Sequence, residues 1–258
     1  MKPSVCIDMM FSHLDFPARF AAVKAAGIDT VEFWKWTNKD IDGVAAALRE
    51  NGMHLGVFNI DSTDPQLSFD LSRGILNAGR AEELLAALRE SLPVYRKLGA
   101  VGMIVLVGET IPHLTAEEQR ENVYRCLCHV KDFAEREGVT LLVEPLNATD
   151  RQNYFMPEAR VLTDILRRVN SPRIKMLYDI YHQNVTGDFD MAHVKESIDL
   201  IGHFHVADAP GRHEPGTGTV DYVSILKEIN TLPYDGHIGL EYRATVRDDL
   251  TLGFLAQV

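Results

Sequence analysis

Short apolar runs and helix-like segments alternate along the whole of this 258-residue chain. The runs are rich in Val, Ile, Leu and Phe and are short, which is typical of parallel strands buried on both faces. Strict alternation joins successive strands by right-handed crossovers and therefore predicts one parallel sheet. The eight runs occupy residues 5–11, 30–36, 54–60, 101–108, 139–145, 174–179, 201–207 and 237–242.

Apolar residues at helical spacing fill the intervals between these runs. The predicted helical segments are 17–27, 41–52, 78–99, 115–138, 156–170, 191–200, 221–230 and a C-terminal segment from about residue 247. Thr115 and Glu118 have the spacing of a capping box, and Pro93 is expected to kink or break its helix. Eight units fit a closed (β/α)₈ TIM barrel better than an open doubly wound sheet. No linker divides the chain, so we expect residues 1–258 to form a single domain.

Composition and charge limit the classes of partner. The chain is 46% hydrophobic and 24% charged, with a net charge of −11 and no Lys or Arg run. Such a surface repels nucleic acid and anionic membranes, so neither is an expected partner. No apolar run approaches the roughly 18 residues that cross a bilayer, and the N-terminal stretch does not fit a signal peptide. Cys126 and Cys128, two apart on a predicted helix, suit neither a disulfide nor a zinc knuckle. Free thiols favour a cytoplasmic protein.

Four of the apolar runs end in, or close to, a residue that can bind a metal. These residues are Glu144, Asp179, His205 and Glu241. Singly, each has a structural explanation, such as a helix cap, a loop charge or a hydrogen-bonded histidine. Together, at four successive strand ends of one barrel, they would meet at the rim where such barrels carry their sites. Three carboxylates and one imidazole predict a divalent cation, Mg²⁺ or Mn²⁺, with Zn²⁺ as an alternative.

Side-chain alternation supports this placement. Leu142 and Leu177 lie two residues before Glu144 and Asp179, so apolar layers are expected beneath a polar top. His203 stands in the same relation to His205 and is predicted to be a buried polar group that needs a partner.

Several motifs resemble the hydroxypyruvate isomerase family. They are VEF at 31–33, LVG at 106–108, EPLN at 144–147, YDIYHQ at 178–183 and, most specifically, the stretch 202–243. That family is one branch of the xylose isomerase-like barrels, which also include ketose 3-epimerases and the endonuclease IV fold. The resemblance covers the full length and implies a TIM barrel enzyme that interconverts an aldehyde and a ketone.

Site roles follow from the resemblance, residue by residue. It implies that Glu144, Asp179, His205 and Glu241 bind the metal and that Glu144 and Glu241 are also the acid/base pair. It implies that His182 and Arg212 contact substrate oxygens and, less specifically, that Asp150 lies near the substrate. One position departs from the pattern, because the hydroxypyruvate isomerase branch tends to carry Gln where this chain has His205. The ketose epimerases carry His there, which leaves metal binding intact and the substrate class open.

The implied chemistry is physically reasonable. Hydroxypyruvate and tartronate semialdehyde would interconvert through an enediolate, whose charge a cation stabilises. One carboxylate would take the proton and the other return it to the neighbouring carbon. Arg212 or Lys35 would neutralise the carboxylate of this small keto-acid substrate.

Weaker signals lie near the predicted rim. Trp34 and Trp36 should share one side of their strand, either as an apolar wall for substrate or as a cover of the barrel mouth or a subunit contact. Lys35 should point the other way and offer a charge. Glu32 is expected to be buried and hydrogen-bonded, with support of the metal site as the alternative. Structural roles are favoured for His13, Asn59, His54 and His237, whereas the loop 210–218 is expected to order over substrate.

Three rival functions remain open. A ketose 3-epimerase would use the same metal ligands and acid/base residues to exchange the proton of a single carbon. It would need a longer pocket and no residue that binds a substrate carboxylate. An abasic-site endonuclease needs a three-metal cluster, more histidines at the rim and a basic surface. A binding protein without catalysis would not need two facing carboxylates. The oligomeric state is open as well, with homodimers and tetramers as candidates.

Overall fold

The computed structural model describes residues 1–258 and contains one parallel β-sheet of nine strand segments. The segments are β1 (Lys2–Cys6), β2 (Thr30–Glu32), β3 (His54–Leu55), β4 (Val57–Asn59), β5 (Gly102–Leu106), β6 (Leu141–Glu144), β7 (Ile174–Asp179), β8 (Ile201–Val206) and β9 (His237–Leu240). Their order in the sheet is β3-β2-β1-β9-β8-β7-β6-β5-β4, and every pairing is parallel.

The two ends of this sheet meet at Gly56. This residue separates β3 from β4; its N–H donates to Val31 O at 2.9 Å and its carbonyl accepts from Val101 N at 2.7 Å. Segments β3 and β4 are therefore halves of one strand, and the sheet is an eight-stranded barrel. A Cβ at Gly56 would lie 3.1 Å from Glu32 Cγ, so the closure point has little room for a side chain. The predicted TIM barrel is confirmed.

Helices surround the barrel and follow the strands in sequence. They are α1 (Phe16–Ala25), α2 (Ile41–Asn51), α3 (Pro65–Arg73), α4 (Ala81–Leu98), α5 (Ala116–Glu137), α6 (Ala159–Val169), α7 (Ile180–Thr186), α8 (Met191–Glu196) and α9 (Tyr222–Ile229), with 3₁₀ segments at Ile198–Leu200 and Asp248–Gln257. The capping box of Thr115 and Glu118 is present. Helix α4 continues through Pro93, because buried residues on both sides of it, Leu88 and Val94, keep the two parts packed on the barrel. The predicted break there is wrong.

Two helices were not predicted. Helix α3 begins at an Asp-Pro pair, in which the Asp64 carboxylate accepts from Leu67 N at 2.8 Å and Pro65 opens the first turn. Helix α7 begins directly after β7, where Asp179 Oδ1 accepts from His182 N at 3.1 Å. Both are short helices within the βα connections that border the mouth of the barrel.

The first predicted strand is wrong in position. Strand β1 ends at Cys6, and the chain then turns, with Met10 N donating to Cys6 O at 2.9 Å and Phe11 at φ 54°. Met10 and Phe11 are buried, so an apolar turn resembled a strand in the sequence.

The barrel interior is divided between apolar and polar contents. One small cluster of apolar side chains fills part of it: Val57, Ile104, Leu106, Leu142 and Leu177. Beside it lie three polar residues, Glu32, His203 and His205, all almost completely buried. The main hydrophobic core lies outside the barrel, between sheet and helices. No helix is long and apolar enough to cross a membrane.

Candidate active site

Four side chains meet where β6, β7, β8 and β9 end. Glu144 and Asp179 are the last residues of β6 and β7, His205 lies one residue before the end of β8, and Glu241 follows β9. Each residue can offer one metal-ligand atom, and these four atoms lie within 4.8 Å of one another. The residues are only 1–6% exposed. The structure thus brings together the four residues that the sequence selected.

His205 is oriented by the carboxylate beneath it. Its Nε2 lies 3.0 Å from Glu32 Oε2, whereas its buried Nδ1 has no hydrogen-bond partner. This Nδ1 lies 3.7 Å from Glu144 Oε1 and 3.6 Å from Glu241 Oε2. A metal-binding imidazole commonly hydrogen-bonds through its other nitrogen to a carboxylate. The free Nδ1 among carboxylate oxygens therefore fits a cation ligand.

Glu32 binds the two barrel histidines at once. Its Oε1 accepts a hydrogen bond from Ser4 Oγ and lies 2.8 Å from His203 Nε2. Burial favours the neutral form of Glu32, but the close contacts with the His203 and His205 rings outweigh burial and lower the pKa of Glu32 well below the usual range. Glu32 therefore remains an anion. Glu32 is thus the charged neighbour of His203, although neither ring nitrogen of His203 forms a hydrogen bond.

Glu241 is held by two donors. Trp34 Nε1 donates to its Oε1 at 2.7 Å, and the Arg212 guanidinium contacts its Oε2. Burial raises the pKa of Glu241, but the charges of Arg212 and His205 outweigh burial and lower it. In contrast, burial dominates at Asp179 and raises its pKa. Three carboxylates beside one guanidinium and one imidazole leave net negative charge in the cluster, which a bound cation would compensate.

His182 presents a neutral donor to the same space. Its Nδ1 lies 3.2 Å from Asn147 N and 2.6 Å from Asn147 Nδ2. Both neighbours are N–H donors, so Nδ1 accepts and the ring proton is assigned to Nε2. Burial, together with the Arg212 charge, lowers its pKa to about 4. Nε2 is buried without a hydrogen-bond partner. It can donate to an oxygen that enters the site.

A cavity of about 360 Å³ opens above this cluster. Glu144, Glu241, His182 and Arg212 line it, and so do two other residues that the sequence selected, Lys35 and Asp150. Five further polar residues of the cavity were not selected as site residues: Asp8, Asn38, Asp61, Ser72 and Arg151. Arg151 directly follows Asp150, so its position beside the EPLN motif was the available signal.

The two tryptophan side chains lie in different surroundings and do not form one wall. Strand β2 ends at Glu32, so strand alternation does not extend to the tryptophans. Trp34 lines the cavity together with Lys35, whereas Trp36 Nε1 donates to Ser91 Oγ of α4 at 3.0 Å. Asn59 also lines the cavity, and its buried Oδ1 has no hydrogen-bond partner, so a purely structural role does not account for it. His13 is exposed and lies 3.5 Å from Asp248.

The loop after β8 carries Arg212 and is fastened at both ends. Asp208 Oδ2 accepts from Gly216 N at 2.8 Å, and the Glu214 carboxylate accepts from Thr245 N at 2.9 Å and from the Thr245 hydroxyl. Arg212 itself adopts a left-handed backbone conformation, with φ 56°. The loop is already ordered around Arg212, and its closure over substrate stays a prediction.

Comparison with known proteins now adds to this geometry. A family model described as "Xylose isomerase-like TIM barrel" matches residues 20–253. The chain belongs to this family. Hydroxypyruvate isomerase of Escherichia coli (strain K12) is 30% identical over 245 residues, covering 94% of this chain and 93% of that protein. A 2-oxo-tetronate isomerase of Cupriavidus necator is 31% identical over 251 residues, covering 96% of this chain and 95% of the relative.

These comparisons confirm the resemblance to the hydroxypyruvate isomerase family and identify the chain as an isomerase of the intramolecular oxidoreductase class. A solved structure, the AP endonuclease, family 2, from Brucella melitensis, superposes with a TM-score of 0.88. It is 23% identical and covers 99% of this chain and 98% of its own. At that identity, the likeness shows the shared fold alone.

Proposed function

We propose that this protein is a divalent-metal-dependent isomerase of a small hydroxy-keto acid, of the hydroxypyruvate or 2-oxo-tetronate type. The observation that carries the proposal is the buried four-donor cluster in which Glu144 and Glu241 both line the cavity. The names of the two curated relatives, both isomerases, support the substrate class.

The donor set fits a divalent cation held by Glu144, Asp179, His205 and Glu241. Carboxylate oxygens suit Mg²⁺ and Mn²⁺, whereas the imidazole also admits Zn²⁺. When bound, such an ion polarises a carbonyl and stabilises the negative charge that develops on it. The unpartnered Nδ1 of His205 supports this assignment, because a buried polar atom without a partner otherwise destabilises the fold.

The side chains of this protein would carry the proton transfer. One of the two facing carboxylates, Glu144 or Glu241, removes the proton from the carbon beside the carbonyl, and the other returns a proton to the neighbouring carbon. The His182 Nε2–H donates to a substrate oxygen. Arg212 binds an oxygen as well and holds Glu241 in its ionised form. Asp150 accepts from Asn147 Nδ2 at 3.2 Å and lies on the cavity wall, where it can accept from a substrate hydroxyl.

Turnover on a substrate panel tests the proposal. Metal-loaded protein should isomerise hydroxypyruvate or a four-carbon 2-keto acid and leave free ketoses of four to six carbons unchanged. Treatment with a chelator should abolish turnover, and added Mg²⁺ or Mn²⁺ should restore it. Activity confined to free ketoses, with solvent deuterium at C3, would instead make the protein a 3-epimerase.

A further inference from the structure

We propose that Lys35 and Arg151 together bind the carboxylate of the substrate. The inference rests on the proposed function, because it assigns the acid end of that substrate. Both side chains line the cavity that Glu144 and Glu241 also line. Neither forms an ion pair with a carboxylate of the protein; their side-chain hydrogen bonds go to α3 instead. Two cations without an anionic partner on one cavity wall suit an anionic ligand.

Helix α3 determines where these two charges lie. Lys35 Nζ donates to Ser68 Oγ at 2.9 Å and to Ser68 O at 3.3 Å, and Arg151 Nη2 donates to Ser72 O at 3.1 Å. Ser68 and Ser72 are four residues apart, so they share a helix face and their carbonyls are about 6 Å apart along the axis. A carboxylate between two such cations can reach both, since each contact spans about 2.8 Å.

The neighbouring charges leave these cations available. Asp8, on the same cavity, forms an ion pair with Lys39 at 3.1 Å and accepts from Trp34 N at 2.8 Å. Asp61 Oδ2 accepts a hydrogen bond from Thr37 Oγ1 at 2.5 Å; its Oδ1 has no hydrogen-bond partner, and Asp61 forms no ion pair with Lys35 or Arg151. Lysine has three N–H donors and arginine five, so both retain donors for a ligand after binding α3.

Arg212 is less suited to this task. Its guanidinium contacts Glu241 and lies 5.4 Å from the ring centre of Tyr181. Its charge therefore compensates the carboxylate cluster, beside the reacting carbons. Lys35 and Arg151 leave Arg212 free for that role and bind the other end of the molecule.

A purely structural role is the alternative, in which Lys35 and Arg151 only stabilise α3. Ser72 O lies in the last turn of α3, where carbonyls lack helical partners and favour a cation. Lys131 offers a matched control, because its Nζ donates to Val169 O at 3.0 Å and Asn170 O at 2.9 Å at the end of α6. It is not among the residues that line the cavity.

Calorimetric titration of metal-loaded protein separates the two roles. The probes are hydroxypyruvate and dihydroxyacetone, which differ by a carboxylate in place of a neutral CH₂OH. Lys35→Met and Arg151→Met should each weaken hydroxypyruvate binding about 10- to 100-fold, as expected for hydrogen bonds to a charged group. Dihydroxyacetone binding should be unchanged, Arg151→Lys should retain most of the affinity, and Lys131→Met should bind both probes as the native protein does.

Equal weakening for both probes, or no weakening for either, would overturn the inference. Because affinity is compared between variants and turnover is assayed separately, the inference and the proposed function can fail separately. Carboxylate-dependent binding without isomerisation would support the inference and contradict the isomerase proposal. If the native protein isomerised keto acids and both Met variants bound hydroxypyruvate with unchanged affinity, the isomerase proposal would be supported and the inference contradicted. If the native protein bound neither hydroxypyruvate nor a four-carbon 2-keto acid, both would be contradicted.

Discussion

Glu32 lies beneath the proposed metal site and contacts both histidines of β8. The sequence predicted that Glu32 is buried and hydrogen-bonded and that His203 needs a buried partner. It did not predict that these are the same interaction, because the two residues are joined only across the interior of the barrel. Residues 32 and 205 are 173 positions apart, and only the strand register brings them together.

Replacing this carboxylate should weaken metal binding. In Glu32→Gln, the partner that orients His205 loses its charge, so affinity for Mn²⁺ should fall about 10- to 100-fold. Metal titration of the purified variant measures this. Glu135→Gln is the control, since Glu135 accepts from Ser171 Oγ at 2.6 Å on an outer helix. Unchanged Mn²⁺ affinity in Glu32→Gln would show that the Glu32 contact does not support the site.

The two tryptophans provide a second test at the residue scale. Trp34→Phe removes the donor to Glu241 Oε1, so kcat should fall about tenfold, the usual effect of one lost hydrogen bond to a charged group. Metal affinity should change little. Steady-state kinetics at saturating metal measure kcat.

Trp36→Phe is the matched control. It removes the hydrogen bond to Ser91 and should lower the free energy of unfolding by about 1–3 kcal/mol without changing kcat. If both variants changed kcat equally, the Trp34–Glu241 hydrogen bond would have no specific role.

At the scale of elements, the connections were harder to predict than the strands. Helix α3 carries Ser72 to the cavity and places Ser68 against Lys35, yet its nine residues were not predicted as a helix. Its start was readable from Asp64 and Pro65, but the segment is too short and too polar to show helical periodicity clearly. Residues such as Arg151 therefore gain their position from an element that the sequence did not indicate.

Glu90 fastens the segment that leads into α3. Its carboxylate accepts from Ser62 Oγ at 2.9 Å, Thr63 N at 2.8 Å and Thr63 Oγ1 at 2.7 Å. Burial acts to raise the pKa of Glu90, but these hydrogen bonds outweigh it and lower the pKa. A lowered folded-state pKa contributes stability above the unfolded pKa, and that stability is lost as the pH falls through the folded value.

Removing the charge should therefore have a pH-dependent cost. Glu90→Gln should lower the free energy of unfolding by about 1 kcal/mol at pH 7, with the difference from the native protein shrinking as the pH falls below about 4. Urea unfolding of both proteins, at pH 7 and again below about pH 4, measures the difference in the free energy of unfolding. A difference that is equal at both values would contradict the assigned hydrogen bonds of the ionised carboxylate.

At the scale of the whole molecule, the alternation of apolar runs was sufficient to predict the barrel. Parallel strands place their carboxyl ends at one rim, so Glu144, Asp179, His205 and Glu241 could be grouped without coordinates. On the opposite wall of the cavity, the sequence selected Lys35 but not Arg151, because Arg151 lies in an irregular connection whose course depends on tertiary packing. Closure of the barrel at Gly56 also needed the observed hydrogen bonds.

Deuterium uptake from solvent during turnover, compared between native protein and Glu241→Gln at equal bound metal, tests whether Glu144 and Glu241 move the proton. The native protein should incorporate deuterium at the substrate carbon that loses its proton, in hydroxypyruvate or a four-carbon 2-keto acid. Glu241→Gln, loaded to the same metal occupancy at a higher metal concentration, should lose most of this exchange. Undiminished exchange and turnover in the metal-loaded variant would contradict the assignment of Glu144 and Glu241 as the pair that moves the proton.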